Sequence, residues 1–164
     1  MTYIAADSRD PSALEQPKIR GCIFCDKVAE ENDKANLIVF RGSTAFTLMN
    51  LYPYNNGHLM VAPYEHTANL SDLTDACLLE IMQLVKRSEQ ALYDAYKPQG
   101  YNIGMNLGQI AGAGIADHLH MHVVPRWTGD TNFMPVLGDT KVLPDSLSGS
   151  YEKITNAWRN TSIG

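Results

Sequence analysis

No run of apolar residues in this 164-residue chain approaches the roughly 18–20 positions that a membrane-spanning helix requires, so no membrane partner is expected. Three cysteines are too few, and odd in number, to frame a disulfide-stapled fold, which suits a reducing compartment. The opening MTYIAADSRDPSALEQPKIRG carries acidic residues early and no continuous apolar stretch. That layout is unlike a secretory signal, and the expected location is the cytoplasm. Basic residues are also in short supply. The 13 Lys and Arg face 18 Asp and Glu, and a formal net charge of -5 offers no broad attraction to a nucleic-acid backbone. A small anion, held by a local nest of amides and imidazoles, remains compatible. There is no G-x-x-x-x-G-K-[ST] loop, which argues against a Walker-type NTPase.

What the chain does contain is enough apolar residue, 45%, for one core. Residues 1–19, with Pro11 and Pro17, read as a polar arm, and residues 20–164 as a single domain. GCIFCDKVAEEN suggests a short helix. LIVFRG and TAFTLMN are β-prone runs around Gly42 and Ser43, the pattern of a hairpin, and HLMVAP (58–63) follows as a third strand. Leu78, Ile81, Met82, Val85, Leu92 and Tyr96 recur at helical spacing, with Ser71 or Thr74 as candidate N-cap and Pro98 with Gly100 beyond the end. YNIGMNL (101–107) and HLHMHVVP read as further strands, and a short helix is expected from about Tyr151. Hairpin-connected strands around one long helix imply an antiparallel α+β fold.

Histidine is scarce as well, five in all, yet three stand at alternate positions in HLHMHVVPRW. On a strand, His118, His120 and His122 share one face, with Cα atoms about 6.5–7 Å apart, while Leu119, Met121 and Val123 share the other. Each buried ring needs partners for two nitrogens, so three in register are hard to explain as packing alone. Two chemistries could use them. One is a catalytic metal held by several imidazoles; the other is a histidine nucleophile whose neighbours donate to a charged substrate. The preceding GMNLGQIAGAGIAD places Gly108, Gly112 and Gly114 where backbone amides can approach an anion. Cys22-x-x-Cys25 is open to reading as a redox pair or half a zinc site, and the redox reading lacks its usual βαβ surroundings.

HLHMHVV, followed by Pro125 and Arg126, resembles the signature of the histidine triad superfamily, His-φ-His-φ-His-φ-φ with φ apolar. CIFC, NLYPYNNGHLMVAPYEH and MNLGQIAGAGIADHLHMHVVPRWTGDTNF extend the likeness across most of the chain, toward the diadenosine tetraphosphate phosphorylase branch. The resemblance implies a five-stranded antiparallel sheet with one long helix and shorter ones, a homodimer, and attack at the α-phosphorus of a nucleotide. It makes His120 the nucleophile and His122 a phosphate partner that helps the leaving group depart. His58 matches the family's further active-site histidine and Asn50 its ribose-side contact; Asn106, Gly112, Ala113 and Gly114 match its phosphate-side segment. It also implies structural zinc on Cys22, Cys25, His66 and His118, a closed Cys2His2 set. Asp130 and Asn132 are candidates to reach substrate phosphates, Trp127 and Phe133 to pack the tail, and Cys77 to pack the long helix. Phosphorolysis or hydrolysis of dinucleoside polyphosphates, hydrolysis of phosphoramidates, and nucleotide binding with little turnover are the functions left open.

Overall fold

In the computed structural model of the chain, which describes residues 21–130 and 145–161, the longest helical pattern becomes α3, Asp75–Tyr96. Of the two candidate caps Thr74 is the one used: its hydroxyl oxygen accepts from the Cys77 amide at 3.2 Å. Ser71 sits in a 3-10 turn just before it. Lys97 adopts the left-handed conformation that ends the helix. Cys77, Ile81, Leu84, Val85, Ala91 and Leu92 form its buried stripe, so Cys77 is a packing residue as expected.

Five strands follow the sequence pattern: β1 Ile38–Arg41, β2 Ala45–Met49, β3 Leu59–Pro63, β4 Gly100–Met105 and β5 Met121–Arg126. They form one sheet in the order β1-β2-β3-β5-β4, with every neighbouring pair antiparallel. The shorter helices are α1 Ile23–Ala29, α2 Asp33–Asn36 and α4 Leu147–Asn160. The α+β architecture is therefore the one expected. β5 begins three residues later than the alternation suggests, because Leu119 bonds to the carbonyl of Thr67 outside the ladder. α4 begins four residues earlier than Tyr151, because Ser146 caps it through the Gly149 amide.

Alternation along β2 and β3 gives the sheet two buried faces. Ala45, Met49, Leu59 and Val61 join the α3 stripe together with Ile154 and Trp158 of α4. Phe46, Leu48, Met60 and Ala62 instead meet Phe24 of α1. Glu80 of α3 pins the β1–β2 turn by accepting from the amides of Ser43, Thr44 and Ala45 and from the Thr44 hydroxyl. No helix among the described residues is long and apolar enough to cross a membrane. The arm, Asn132 and Phe133 lie outside the described residues.

Candidate active site

The three triad rings share a face but do not converge on a common point, because each is bound to a different neighbour. The His118 ring bonds to the Pro63 carbonyl through Nε2 at 2.9 Å. A carbonyl only accepts, so that nitrogen carries the proton and Nδ1 offers its lone pair. For His120 the pattern reverses: Nδ1 donates to the His118 carbonyl at 2.8 Å, leaving the Nε2 lone pair directed into the cleft. His122 Nδ1 lies 2.9 Å from Nε2 of His58. The Tyr54 amide donates to His58 Nδ1 at 3.1 Å, so the His58 proton must sit on Nε2 and point at His122. His122 therefore accepts at Nδ1 and carries its own proton on Nε2. One backbone amide thus sets two tautomers in series.

The loop between β2 and β3 makes that chain possible. Asn50 bonds its backbone amide to the His58 carbonyl, and His58 bonds back to Asn55. Gly57 has φ +79, and a Cβ there would lie 2.8 Å from Leu92 Cδ2, so only glycine admits this close turn. Asn50 accepts from the Tyr52 amide through Oδ1, which turns its Nδ2 toward His58 Nδ1 at 3.3 Å. His58 itself is fully buried.

Two residues that pattern reasoning did not single out complete the setting. Phe24 packs its ring 5.1 Å from His118 and 5.0 Å from His120, centroid to centroid. Its only signal was a position between the two cysteines of CIFC. Tyr54 packs 4.7 Å from His58 and 6.0 Å from His122; it lies in the LYPYNNG loop, where nothing but the loop's resemblance marked it.

A cavity of about 490 Å³ opens over His120 and His122, walled by Phe24, Ile23, Leu48, Asn50, Gly112 and Gly114 among others. Asn106 is drawn toward the glycine loop by a bond from Nδ2 to the Gly112 carbonyl, and Ala113 bonds back to Gly108, so Gly112, Ala113 and Gly114 form a closed turn beside the triad. Asp130 stands further along β5. Its carboxylate accepts from Arg126 at 2.6 and 2.7 Å, from Asn55 at 2.8 Å and from the Trp127 amide at 3.1 Å. Burial lowers the pKa of His118 and of His120; it takes His122 down to about 4, with the neighbouring His120 adding to the shift. All three triad rings are therefore neutral near pH 7.

On the other side of His118 the expected ligand set comes together. Cys22, Cys25, His66 and His118 each present one ligand atom, all within 4.8 Å of one another; among the described residues no other group of three or more His, Cys, Asp or Glu does so. Cys22 Sγ and Cys25 Sγ lie 3.3 and 3.6 Å from His118 Nδ1, and Cys25 Sγ lies 3.4 Å from His66 Nδ1. A tetrahedral ion with sulfur at 2.3 Å and nitrogen near 2.0 Å has ligand–ligand edges of about 3.5 Å. The four residues therefore fit a tetrahedral metal, and the His118–Pro63 bond is the outer support such a ligand needs. Burial, reinforced by Cys22, raises the Cys25 thiol to about 11. A bound cation reverses that by holding the thiolate. The alternative of one catalytic metal shared by all three triad rings is not met, because His118 turns its Nδ1 to the cysteines while His120 and His122 commit theirs elsewhere.

The HIT domain model matches residues 30–129. The AP-4-A phosphorylase of Mycobacterium tuberculosis is 38% identical over 160 residues, spanning 96% of this chain and 80% of that protein. The adenosine 5′-monophosphoramidase of Schizosaccharomyces pombe is 34% identical over 105 residues, 64% of this chain and 74% of that one. A Zn-bound histidine triad family protein from Mycobacterium smegmatis superimposes with a TM-score of 0.68 at 22% identity, covering 85% of this chain and 94% of that one. With the signature, the sheet and the sequence likeness in agreement, the chain belongs to the HIT domain family.

Proposed function

We propose that this protein is an enzyme that cleaves dinucleoside polyphosphates through a nucleotidyl-histidine intermediate on His120, with inorganic phosphate as the second acceptor. The observation that carries the reading is the His120 Nδ1–His118 carbonyl bond, which leaves Nε2 as a fixed, unprotonated nucleophile facing the cavity. In the first step the Nε2 lone pair forms a bond to an α-phosphorus, and the bridging P–O bond breaks. The departing oligophosphate oxygen takes the electron pair and leaves as an anion, stabilised by a hydrogen bond from the Nε2–H of His122, which keeps its proton. The nucleotidylated ring becomes cationic, and the His118 carbonyl that holds its Nδ1 proton stabilises that charge, as preorganised dipoles do. In the second step a phosphate oxygen attacks the same phosphorus, the P–N bond breaks, and neutral His120 returns. From diadenosine tetraphosphate the products are ATP, then ADP.

Asn50, Asn106 and the Gly112, Ala113 and Gly114 turn are assigned to the nucleotide, with His58 relaying the hydrogen-bond order to His122. Cys22, Cys25, His66 and His118 would hold a structural zinc ion, which braces α1 against the His118 segment. The choice of phosphate over water is supported by the 38% identity to the AP-4-A phosphorylase. The likeness to the monophosphoramidase supports the second reading, in which water or a phosphoramidate takes part. A cytoplasmic homodimer is part of the proposal. Free cysteines support the compartment, and the family resemblance supports the dimer, for which light scattering should give twice the chain mass.

Incubation with diadenosine tetraphosphate tests the reading. ADP plus ATP that form only when phosphate is supplied support it, whereas AMP plus ATP without phosphate supports the hydrolase. His120→Asn should lower turnover by at least a thousandfold while retaining nucleotide affinity. Unchanged turnover in that variant rules out the nucleophile, and nucleotide binding without turnover in the native protein leaves only the binding-protein reading.

A further inference from the structure

A second cavity, about 460 Å³, lies against β4 and β5 and is lined by Asn102, Gly104, Val124 and Arg126 among others. It shares only Tyr54 and His122 with the cavity that contains His120. The two are thus neighbours across one tyrosine and one histidine. Each falls within the 300–1,000 Å³ typical of small-molecule sites and could take one nucleotide.

The strand places them in a functional order. His122, Val124 and Arg126 alternate along one face of β5, about 6.8 Å apart, and His120 stands just before the strand with its ring 4.8 Å from that of His122, so the nucleophile and its hydrogen-bonding neighbour are followed by the second cavity. In-line displacement requires the departing oxygen to leave on the side of phosphorus opposite His120 Nε2. His122 lines both cavities, so a group that departs from an α-phosphorus seated against His120 and runs past His122 enters the second one. Antiparallel register sets Gly104 opposite His122 and Asn102 opposite Val124. A Cβ at Gly104 would meet nothing within 4 Å, so the missing side chain is what keeps the floor beside His122 open. Half-exposed Tyr54 and buried Val124 offer an apolar wall. The amide of Asn102 and the guanidinium of Arg126 provide polar contacts for a ribose and phosphates. Arg126 is held in place by Asp130 and by Asn102 Oδ1 at 2.6 Å, so Asp130 positions the guanidinium that faces the cavity.

We infer that this second cavity is the subsite for the departing nucleoside oligophosphate, and that Gly104 and Asn102 determine whether a dinucleoside polyphosphate is accepted. The inference rests on the proposed reaction at His120, but binding tests it separately. Affinities for diadenosine tetraphosphate and for AMP are measured by calorimetry on His120→Asn protein, with and without Gly104→Val or Asn102→Leu. Each added substitution should reduce the ratio of the two affinities at least tenfold, because valine or leucine fills the second cavity and AMP does not extend into it. In the otherwise native enzyme, the ratio of kcat/KM for diadenosine tetraphosphate to that for adenosine 5′-phosphoramidate, whose leaving group is ammonia, should fall to the same degree. A binding ratio within twofold of the parent in both folded variants, verified by thermal melts, overturns the inference. Should Gly104→Val not fold, Asn102→Leu alone decides. Absence of turnover on both substrates in the native protein would refute the reaction and leave the binding ratio to decide the subsite.

Discussion

At the scale of single residues, the chemistry is set by which nitrogen of each imidazole carries a proton. The alternation HLHMHVV is visible in the chain and marks the three rings as a set. Their division of labour is not visible, because it depends on backbone groups remote in sequence: the Pro63 carbonyl for His118 and the Tyr54 amide acting through His58 for His122. His122 gives a direct check. Burial holds it near 4 in the folded protein, while an unfolded histidine titrates near 6.5. Between those values the unfolded chain binds more protons, so stability should decline as pH falls from about 6.5 toward 4 and should be fully present above 6.5. Denaturation midpoints across that range should show the slope, and His122→Gln should reduce it, leaving the part due to His118 and His120. Bound polyphosphate should raise the His122 titration, measurable by NMR, since an adjacent anion favours the protonated ring. An unshifted resonance would contradict its placement beside the leaving group. Phe24, fully buried against two triad rings, should cost about 3–5 kcal/mol on truncation to Ala, read from chemical denaturation.

Among the elements, α1 and the β2–β3 loop carry information that periodicity does not express. The long helix α3 and the five strands were legible because each presents a sustained apolar face. The four-residue α2 has no such face, and the true start of α4 was set by a serine cap lying outside its apolar stripe. α1 was legible only as a short helix, yet it links the two candidate metal-ligating cysteines to Phe24 and hence to the wall of the cavity over His120. Elemental analysis should therefore find one zinc per chain, lost in Cys25→Ser. Because an ion that binds only the folded form stabilises it, the melting temperature should fall on chelation and recover on zinc addition. Nucleotide affinity should weaken in parallel as α1 loosens. A metal-free protein with an unchanged melting temperature would contradict the bracing role.

For the molecule as a whole, the sheet separates stability from reaction. One face is committed to α3 and α4, while the other gives α1 one end and leaves the remainder for two cavities in line along β5. The family resemblance made the position of the first cavity legible. The second depends on cross-strand register between β4 and β5, which no local pattern of residues reveals. The decisive measurement is the intact mass of the full chain quenched in base after mixing with diadenosine tetraphosphate in the absence of phosphate, followed by peptide mapping. One adenylyl group per chain, located on His120 and discharged as ADP when phosphate is added, is the predicted result. ATP release with no adduct, or an adduct on any other residue, would contradict it.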